Sequence, residues 1–345
     1  MSRRIALHSL LIVALGGALV ASAPAQAPDR VALKPEVEIF IERMRSEHGF
    51  DAEGLRAAFA QLKPNEAVIK AFTAPATAKP WHEFRALFLT PARIDGGAAF
   101  WRDNAELLAR ARAVYGVPEE IVIAILGVES LYGQRTGSFR IIESLYTLGF
   151  EGPRRNEFFR SELEQFLLLS RENGIDMLET KGSFAGAMGM PQFIASSYRS
   201  YAVDFDGDGR IDLWNNAADV IGSVANYLRR FGWAAEQRVA VPARLTVNDV
   251  QHLIDLGVKP HLTISEMRMR GIDPLEDLPS DQLAGVFALE IPQGLEHWLS
   301  LNNFYVITRY NNSRKYAMAV HQLAVALAEA RKQAQDAHQS VSAAR

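Results

Sequence analysis

Apolar residues recur at helical spacing through most of the chain. Residues 35–75 show this spacing with two breaks, at "HGFD" and "LKPN", which predict short helices separated by turns. The stretch "FWRDNAELLARARAVYGVPEEIVIAILGVESLYG" predicts two helices joined at "YGVP". Pro118 suits a helix start, the acidic pair after it suits a first turn, and Gly133 suits a C-terminal stop.

The pattern changes once, near residue 236. Before it, "PRRNEFFRSELEQFLLLSREN" and "AADVIGSVANYLRRFGW" predict helices on either side of a glycine-rich loop region. From 236 to about 295, β-branched residues and prolines replace the helical spacing, and "YAMAVHQLAVALAEARKQ" restores it. We therefore predict a mainly α fold with a small mixed α/β insertion. The predicted division is a signal peptide at 1–25, a helical region at 26–95, a core at 96–235, the insertion at 236–298, the rest of the core at 299–333 and a flexible tail at 334–345.

The N-terminus has the pattern of a secretory signal peptide. "MSRR" is followed by the apolar run "IALHSLLIVALGGALVA" and then by an Ala-Pro-Ala site, which predicts cleavage after Ala25. An uncleaved N-terminal anchor is the alternative. The chain has no cysteine, so we expect neither disulfides nor a lipid anchor of the lipobox type, and the predicted location is the periplasm. A formal net charge of −3 gives no indication of a nucleic-acid partner.

"DFDGDGRID" matches the front half of an EF-hand loop. Alternating carboxylates converge on a hard cation, and the glycine at the sixth position allows the turn. The twelfth position, usually Glu, is Asn215, so the loop is expected to close at the sixteenth position instead. The predicted Ca²⁺ ligands are Asp204, Asp206, Asp208, the Arg210 carbonyl, Asp212 and Asp219. A solvated Asp-Gly turn is the alternative, and a single loop favours a structural over a sensing role.

Glu129 ends the apolar run "IVIAILGV". On a continuous helix it lies beside Ile125 and Leu126 on one side and Tyr132 on the other. Such surroundings disfavour the charged carboxylate, raise its pKa and suit a general acid that protonates a glycosidic oxygen. A solvated glutamate at a helix end is the alternative, and Glu129 alone does not decide between them.

A small-residue loop supplies a possible binding region. "KGSFAGAMGMPQF" contains Ser183 and Gln192, whose side chains can hydrogen-bond hydroxyl or amide groups, among residues small enough to let a ligand approach the backbone. A tight loop packed between helices is the alternative. Aromatic residues suit sugar rings as well, although most aromatic side chains in a protein belong to its core.

Four segments resemble the membrane-bound lytic murein transglycosylase B family. They are "GVESLYGQRTGSFRIIESLYTLGF", "PRRNEFFRSELEQFLL", "KGSFAGAMGMPQFIASSYRSYAVDFDGDGRIDLW" and "NNFYVITRYNNSRKYAMAV". The resemblance covers residues 35–330 and implies a goose-lysozyme-like helical core with an additional α domain. It implies a catalytic acid/base at Glu129, substrate-binding positions at Ser183, Gln192, Arg154, Arg155, Tyr227 and Tyr310, and the calcium loop. The missing lipobox cysteine indicates the soluble branch, and Phe84 stands where a tyrosine is expected.

The resemblance also implies the reaction. It predicts non-hydrolytic cleavage of the MurNAc-β-1,4-GlcNAc bond of peptidoglycan, leaving 1,6-anhydro-MurNAc ends. Most glycosidases use two carboxylates, but the sequence offers one clear acid, which suits attack by the substrate's own hydroxyl. A hydrolytic muramidase and a non-catalytic peptidoglycan-binding scaffold are the alternatives. The expected partners are glycan strands and cell-wall synthases or amidases, and the expected state is a monomer.

Overall fold

The structure is a computed structural model that describes residues 32–74, 79–247 and 249–343. The predicted signal peptide at 1–25 lies outside these residues. The helices of the described part are α1 Pro35–His48, α2 Ala52–Phe59, α3 Glu66–Thr73, α4 Trp81–Phe88, α5 Pro91–Asp103, α6 Ala105–Tyr115, α7 Glu119–Ser130, α8 Ile141–Phe150, α9 Asn156–Asn173, α10 Ala195–Tyr201, α11 Ala217–Arg230, α12 Gln251–Ile254, α13 Ile264–Met269, α14 Asn302–Tyr310 and α15 Arg314–Ala343. The strands are β1 Phe139–Arg140, β2 Lys181–Gly182, β3 Ala240–Leu245, β4 Leu262–Thr263, β5 Ile272–Pro274, β6 Leu283–Ile291 and β7 Gly294–Ser300.

Short polar side chains set the helix starts. Asp51 accepts hydrogen bonds from two backbone N–H groups at the start of α2, and Asn65 does the same for α3. Asn216 caps α11 in the same way. Gly49 ends α1 with a left-handed φ of 67°, which glycine adopts without a steric penalty. The two expected breaks at "HGFD" and "LKPN" are therefore helix boundaries.

Helix α7 lies at the centre of the main core. Every residue from Ile121 to Val128 is buried, and the helix packs against α5, α6, α11 and α15. A helix that is apolar on all sides must be enclosed by other elements, which explains why the run "IVIAILGV" lacks a polar face. The surrounding apolar cluster extends from α1 to α15. The carboxyl-bearing end of α7 is thereby held on a rigid support.

The insertion forms a five-stranded antiparallel sheet in the order β4-β6-β7-β3-β5. Alternate side chains of β6 point to opposite faces. Ala284 and Val286 join an apolar cluster with α12 and α13, whereas Phe287 joins the main core and stacks on Phe304 of α14 with ring centroids 4.6 Å apart. The predicted mainly α fold with a small β-containing insertion is confirmed.

The C-terminal segment differs from its prediction. Residues 334–343, expected to form a flexible tail, continue α15 as helix. The run from 331 to 343 contains no glycine or proline and many good helix formers, so nothing in it ends the helix. Among the described residues, no helix has both the length and the apolarity needed to cross a bilayer.

Candidate active site

Glu129 stands one residue before the end of α7 and is half-buried. Burial raises the pKa of its carboxyl from 4.5 to about 7, and a hydrogen bond from Tyr316 acts in the opposite direction. No second carboxylate among the described residues contributes to this pKa. A single carboxyl that titrates near neutral pH can give up a proton and later take one back.

The helix ends more abruptly than the sequence predicts. Leu131 and Tyr132 both adopt left-handed backbone angles, with φ of 51° and 58°, so Tyr132 leaves the helical path. The Tyr132 hydroxyl donates to the Arg93 carbonyl of α5 at 2.7 Å, and its ring stacks on Phe100. The expectation that Tyr132 flanks Glu129 on the same helix is therefore wrong.

Three packed tyrosines, Tyr227, Tyr310 and Tyr316, lie beside Glu129 instead, and we call them the tyrosine wall. The Tyr316 hydroxyl donates to Glu129 Oε1 at 2.5 Å from the first turn of α15. Tyr310, at the end of α14, stacks on Tyr316 with ring centroids 6.5 Å apart, and Tyr227 of α11 packs against Tyr310 at 4.8 Å. The predicted pair Tyr227 and Tyr310 therefore belongs to the group of residues around Glu129. Tyr316 lies in the C-terminal segment that carries the family resemblance, but no spacing or composition signal marked it as a site residue.

The hydroxyls of the two predicted tyrosines are engaged with backbone. Tyr227 donates to the Arg309 carbonyl at 2.5 Å, and Tyr310 donates to the Pro191 carbonyl at 2.6 Å. Burial raises the pKa of the Tyr310 hydroxyl well above its usual value, and the nearby Glu129 carboxyl adds to the increase. Both phenols therefore stay neutral hydrogen-bond donors at physiological pH.

Loop 180–193 reaches the same region, because its Met190 and Pro191 carbonyls accept hydrogen bonds from Ser130 and Tyr310. Ser183 Oγ accepts hydrogen bonds from the backbone N–H groups of Ala185 and Ala187, at 3.2 and 3.0 Å. Gln192 has a left-handed φ of 54°, and its Nε2 donates to the carbonyls of Thr136 and Gly189. Both predicted binding residues thus also shape the loop that carries them.

Arg154 and Arg155 lie at the start of α9 and are exposed. The Arg154 guanidinium lies over the ring of Phe72 at 5.1 Å, and that of Arg155 over the ring of Phe158 at 4.1 Å. The ion pairs of the described residues do not include these two arginines. Their charges remain available to an anionic ligand.

The acidic loop brings three of its predicted ligands together. Carboxylate oxygens of Asp204, Asp206 and Asp219 lie within 4.8 Å of one another. Asp208 and Asp212 lie outside that group. Their carboxylates accept backbone hydrogen bonds, from Arg210 in the first case and from Trp214 and Asn215 in the second. Three converging carboxylates are the donor set that Ca²⁺ prefers, so the residues present fit a calcium site.

A half-buried acid that titrates near neutral pH, with a tyrosine hydroxyl bound to it and aromatic rings beside it on a helical scaffold, suits an enzyme that cleaves glycosidic bonds. Residues 32–325 match the transglycosylase SLT domain family, and the chain belongs to that family. It is a lytic transglycosylase with a lysozyme-like helical core.

Individual relatives agree with this assignment. The chain is 44% identical over 309 residues to the membrane-bound lytic murein transglycosylase B of Escherichia coli, covering 87% of this chain and 84% of that protein. It is similar to the E. coli lytic transglycosylase Slt35 in complex with calcium, at 43% identity and a TM-score of 0.78, covering 86% of this chain and 94% of the other. It is also similar to SltB3 from Pseudomonas aeruginosa in complex with NAG-anhNAM-pentapeptide, at 34% identity and a TM-score of 0.74, covering 85% and 78%.

Proposed function

We propose that this protein cleaves the MurNAc-β-1,4-GlcNAc bond of peptidoglycan without water and leaves 1,6-anhydro-MurNAc ends. The observation that carries the proposal is the Glu129 carboxyl, whose pKa is raised to about 7 by burial without a contribution from a second carboxylate. The names of the relatives support the substrate, since one is a murein transglycosylase and another was solved with an anhydro-muropeptide.

In the first step Glu129 acts as an acid. With a pKa of about 7, a large part of its population is protonated at neutral pH, and it donates that proton to the oxygen of the leaving GlcNAc. Positive charge then develops at C1 of MurNAc, and the 2-acetamido group of the same sugar shields it, as in substrate-assisted glycosidases. The bond between C1 and the glycosidic oxygen breaks in this step.

In the second step Glu129 acts as a base. The carboxylate, now ionised and stabilised by the hydrogen bond from Tyr316, takes the proton of the MurNAc C6 hydroxyl. The C6 oxygen attacks C1 of the same sugar and closes the 1,6-anhydro ring. An intramolecular nucleophile has a high effective concentration, so neither water nor a second carboxylate is required. The carboxyl ends the cycle protonated, as it began.

We assign binding roles to the residues around this centre. Ser183 and Gln192 are assigned to the saccharide on the loop side, and the rings of Tyr227 and Tyr310, which pack against Phe193 of the same loop, are assigned to it as neighbouring aromatic surface. The exposed guanidinium groups of Arg154 and Arg155 carry charge that suits the carboxylates of the stem peptides. Glycan strands are the proposed partners, with cell-wall synthases or amidases as candidate protein partners of a monomer.

We propose a structural Ca²⁺ in the loop 204–219. The carboxylates of Asp204, Asp206 and Asp219 would hold it, together with the remaining predicted donors Asp208, Asp212 and the Arg210 carbonyl. A bound Ca²⁺ would neutralise the repulsion between converging carboxylates. The Slt35 relative was solved with calcium, which supports the choice of ion.

The same family assignment supports a periplasmic location. We propose export by the segment 1–25, and a catalytic unit made of residues 96–235 and 299–333. The helical region 26–95 and the insertion 236–298 are added to it. The segment 1–25 lies outside the described residues, so its cleavage is tested by determining the N-terminal sequence of the exported protein.

The decisive experiment compares the wild type with Glu129→Gln on purified sacculi by mass spectrometry of the soluble products. We expect fragments that end in 1,6-anhydro-MurNAc from the wild type and none from the variant. Fragments one water heavier, with reducing ends, would make the enzyme a muramidase. Near-full activity of the variant would refute the role of Glu129, and binding to sacculi without any fragments would indicate a scaffold.

A further inference from the structure

Ser130, the residue after Glu129, has a buried and fully engaged hydroxyl. Its side chain is 1% exposed. The hydroxyl donates to the Met190 carbonyl at 2.7 Å and accepts a hydrogen bond from Gly133 N–H at 2.9 Å, while its distance to the Leu126 carbonyl is longer, at 3.4 Å. One side chain thus connects the end of α7 with the loop 188–193.

That loop is fixed from several directions. Met190 N–H donates to the Leu213 carbonyl of the acidic loop at 2.7 Å, and the Tyr310 hydroxyl donates to Pro191 at 2.6 Å. Gln192 reaches back to the Thr136 carbonyl. The Ser130 contact therefore joins α7 itself, next to Glu129, to a loop that the acidic loop, α14 and the segment after α7 also hold in place.

The backbone beside Ser130 needs such support. Leu131 and Tyr132 have left-handed φ values, which side chains other than glycine adopt at an energetic cost. Conformations of this kind persist where the surrounding structure holds them, and they are frequent at active sites. The Gly133 N–H that follows would lose its acceptor if the Ser130 hydroxyl were removed.

We propose that Ser130 is a positioning residue for the reaction. Its hydroxyl holds the end of α7 against loop 188–193 and thereby fixes the Glu129 carboxyl relative to Gln192 and to the tyrosine wall. The proposal rests on the function assigned to Glu129 above. Misplacement of a reacting group by about 1 Å can lower a rate on the order of 100-fold, so a small shift of the helix end has a large effect.

The test is Ser130→Ala, with Ser144→Ala as the matched control. Ser144 is fully buried on α8, and its hydroxyl has no hydrogen-bond partner among the described residues, so its removal breaks no such bond. Both variants are compared with the wild type and Glu129→Gln on soluble uncross-linked glycan strands. For Ser130→Ala we expect kcat to fall about 10-fold to 100-fold with little change in KM, and for Ser144→Ala no comparable loss.

The pH profile gives a second readout that a purely structural role would not change. The titratable groups that face Glu129 are Tyr316 on α15, whose hydrogen bond lowers the pKa of Glu129, and Tyr310 on α14, whose own pKa the Glu129 carboxyl raises. If the helix end shifts, water reaches the Glu129 carboxyl and lowers its pKa. The basic limb of the kcat–pH profile then moves to lower pH. Ser130→Cys, which adds a little volume and keeps a weak donor, should lie between wild type and alanine in kcat, and it keeps the test valid if the alanine variant does not fold.

The outcomes separate the two proposals. The positioning role alone would be overturned if Ser130→Ala had the kcat of the wild type and an unmoved basic limb while Glu129→Gln was inactive. The role would also be overturned if the activity of Ser130→Ala fell only in proportion to the fraction of folded protein. If Glu129→Gln were as active as the wild type, the assigned function itself would fail.

Discussion

Replacing Glu129 by glutamine should make the protein more stable above neutral pH. Glutamine has the same shape, and its Oε1 can still accept the hydrogen bond from Tyr316, so the substitution removes the charge and little else. The wild-type carboxyl has a pKa of about 7 in the folded protein and 4.5 as its ordinary value. At 1.36 kcal/mol per pKa unit, ionising it in the folded state costs about 3 kcal/mol.

The sign follows from proton binding. Between pH 4.5 and about 7 the folded wild type binds more protons at Glu129 than the unfolded chain does, so its free energy of unfolding falls as the pH rises. Below this window the carboxyl is protonated in both states, and above it the full cost is present. His321 acts in the opposite direction, because burial lowers its pKa from 6.5 to about 4, but it is unchanged in the variant and cancels in the difference.

The assay is urea unfolding of both proteins at a series of pH values and saturating calcium. The stability advantage of Glu129→Gln over the wild type should grow by about 3 kcal/mol between pH 4.5 and about pH 8. The control is Glu47→Gln, which removes the same formal charge from an exposed position. A difference that stays constant with pH, or that decreases, would refute the raised pKa and with it the argument for Glu129 as an acid.

Two further predictions use the same site and the acidic loop. Tyr316→Phe removes the hydrogen bond that lowers the pKa of Glu129, so the basic limb of the kcat–pH profile should move to higher pH. The rate at neutral pH should fall because the ionised base loses its donor, and an unmoved limb would contradict this. Chelation of calcium should lower the melting temperature of the wild type, and in Asp219→Asn the melting temperatures with calcium and with chelator should be equal. Equal melting temperatures for the wild type in both solutions would argue against a calcium site.

The features that the sequence predicted well are local. Helical spacing, the Pro118 start and the break at Gly49 depend on residues within a few positions of one another, and the structure has helix boundaries at those places. The apolar run before Glu129 likewise predicted a carboxyl with a raised pKa, because burial is the main cause of the increase.

The features that it missed depend on distant parts of the chain. Tyr316 is 187 positions from Glu129, and no periodicity or spacing links the two. The Ser130 contact with Met190 spans 60 positions, and the backbone bonds of Ser183 and Gln192 depend on how their loop folds. The acidic loop shows the same limit at short range, because spacing alone did not distinguish the three converging carboxylates from Asp208 and Asp212.

A reaction with one carboxyl requires that carboxyl to work in both protonation states, and the site provides opposing influences for this purpose. Burial at the end of α7 favours the protonated form that protonates the leaving group, while the Tyr316 hydroxyl favours the ionised form that accepts the second proton. Stronger burial would leave a good acid that could not act as a base, and a second donor would do the reverse. The pKa near 7 is the balance of these two effects, and the destabilisation expected above neutral pH is its consequence for the fold.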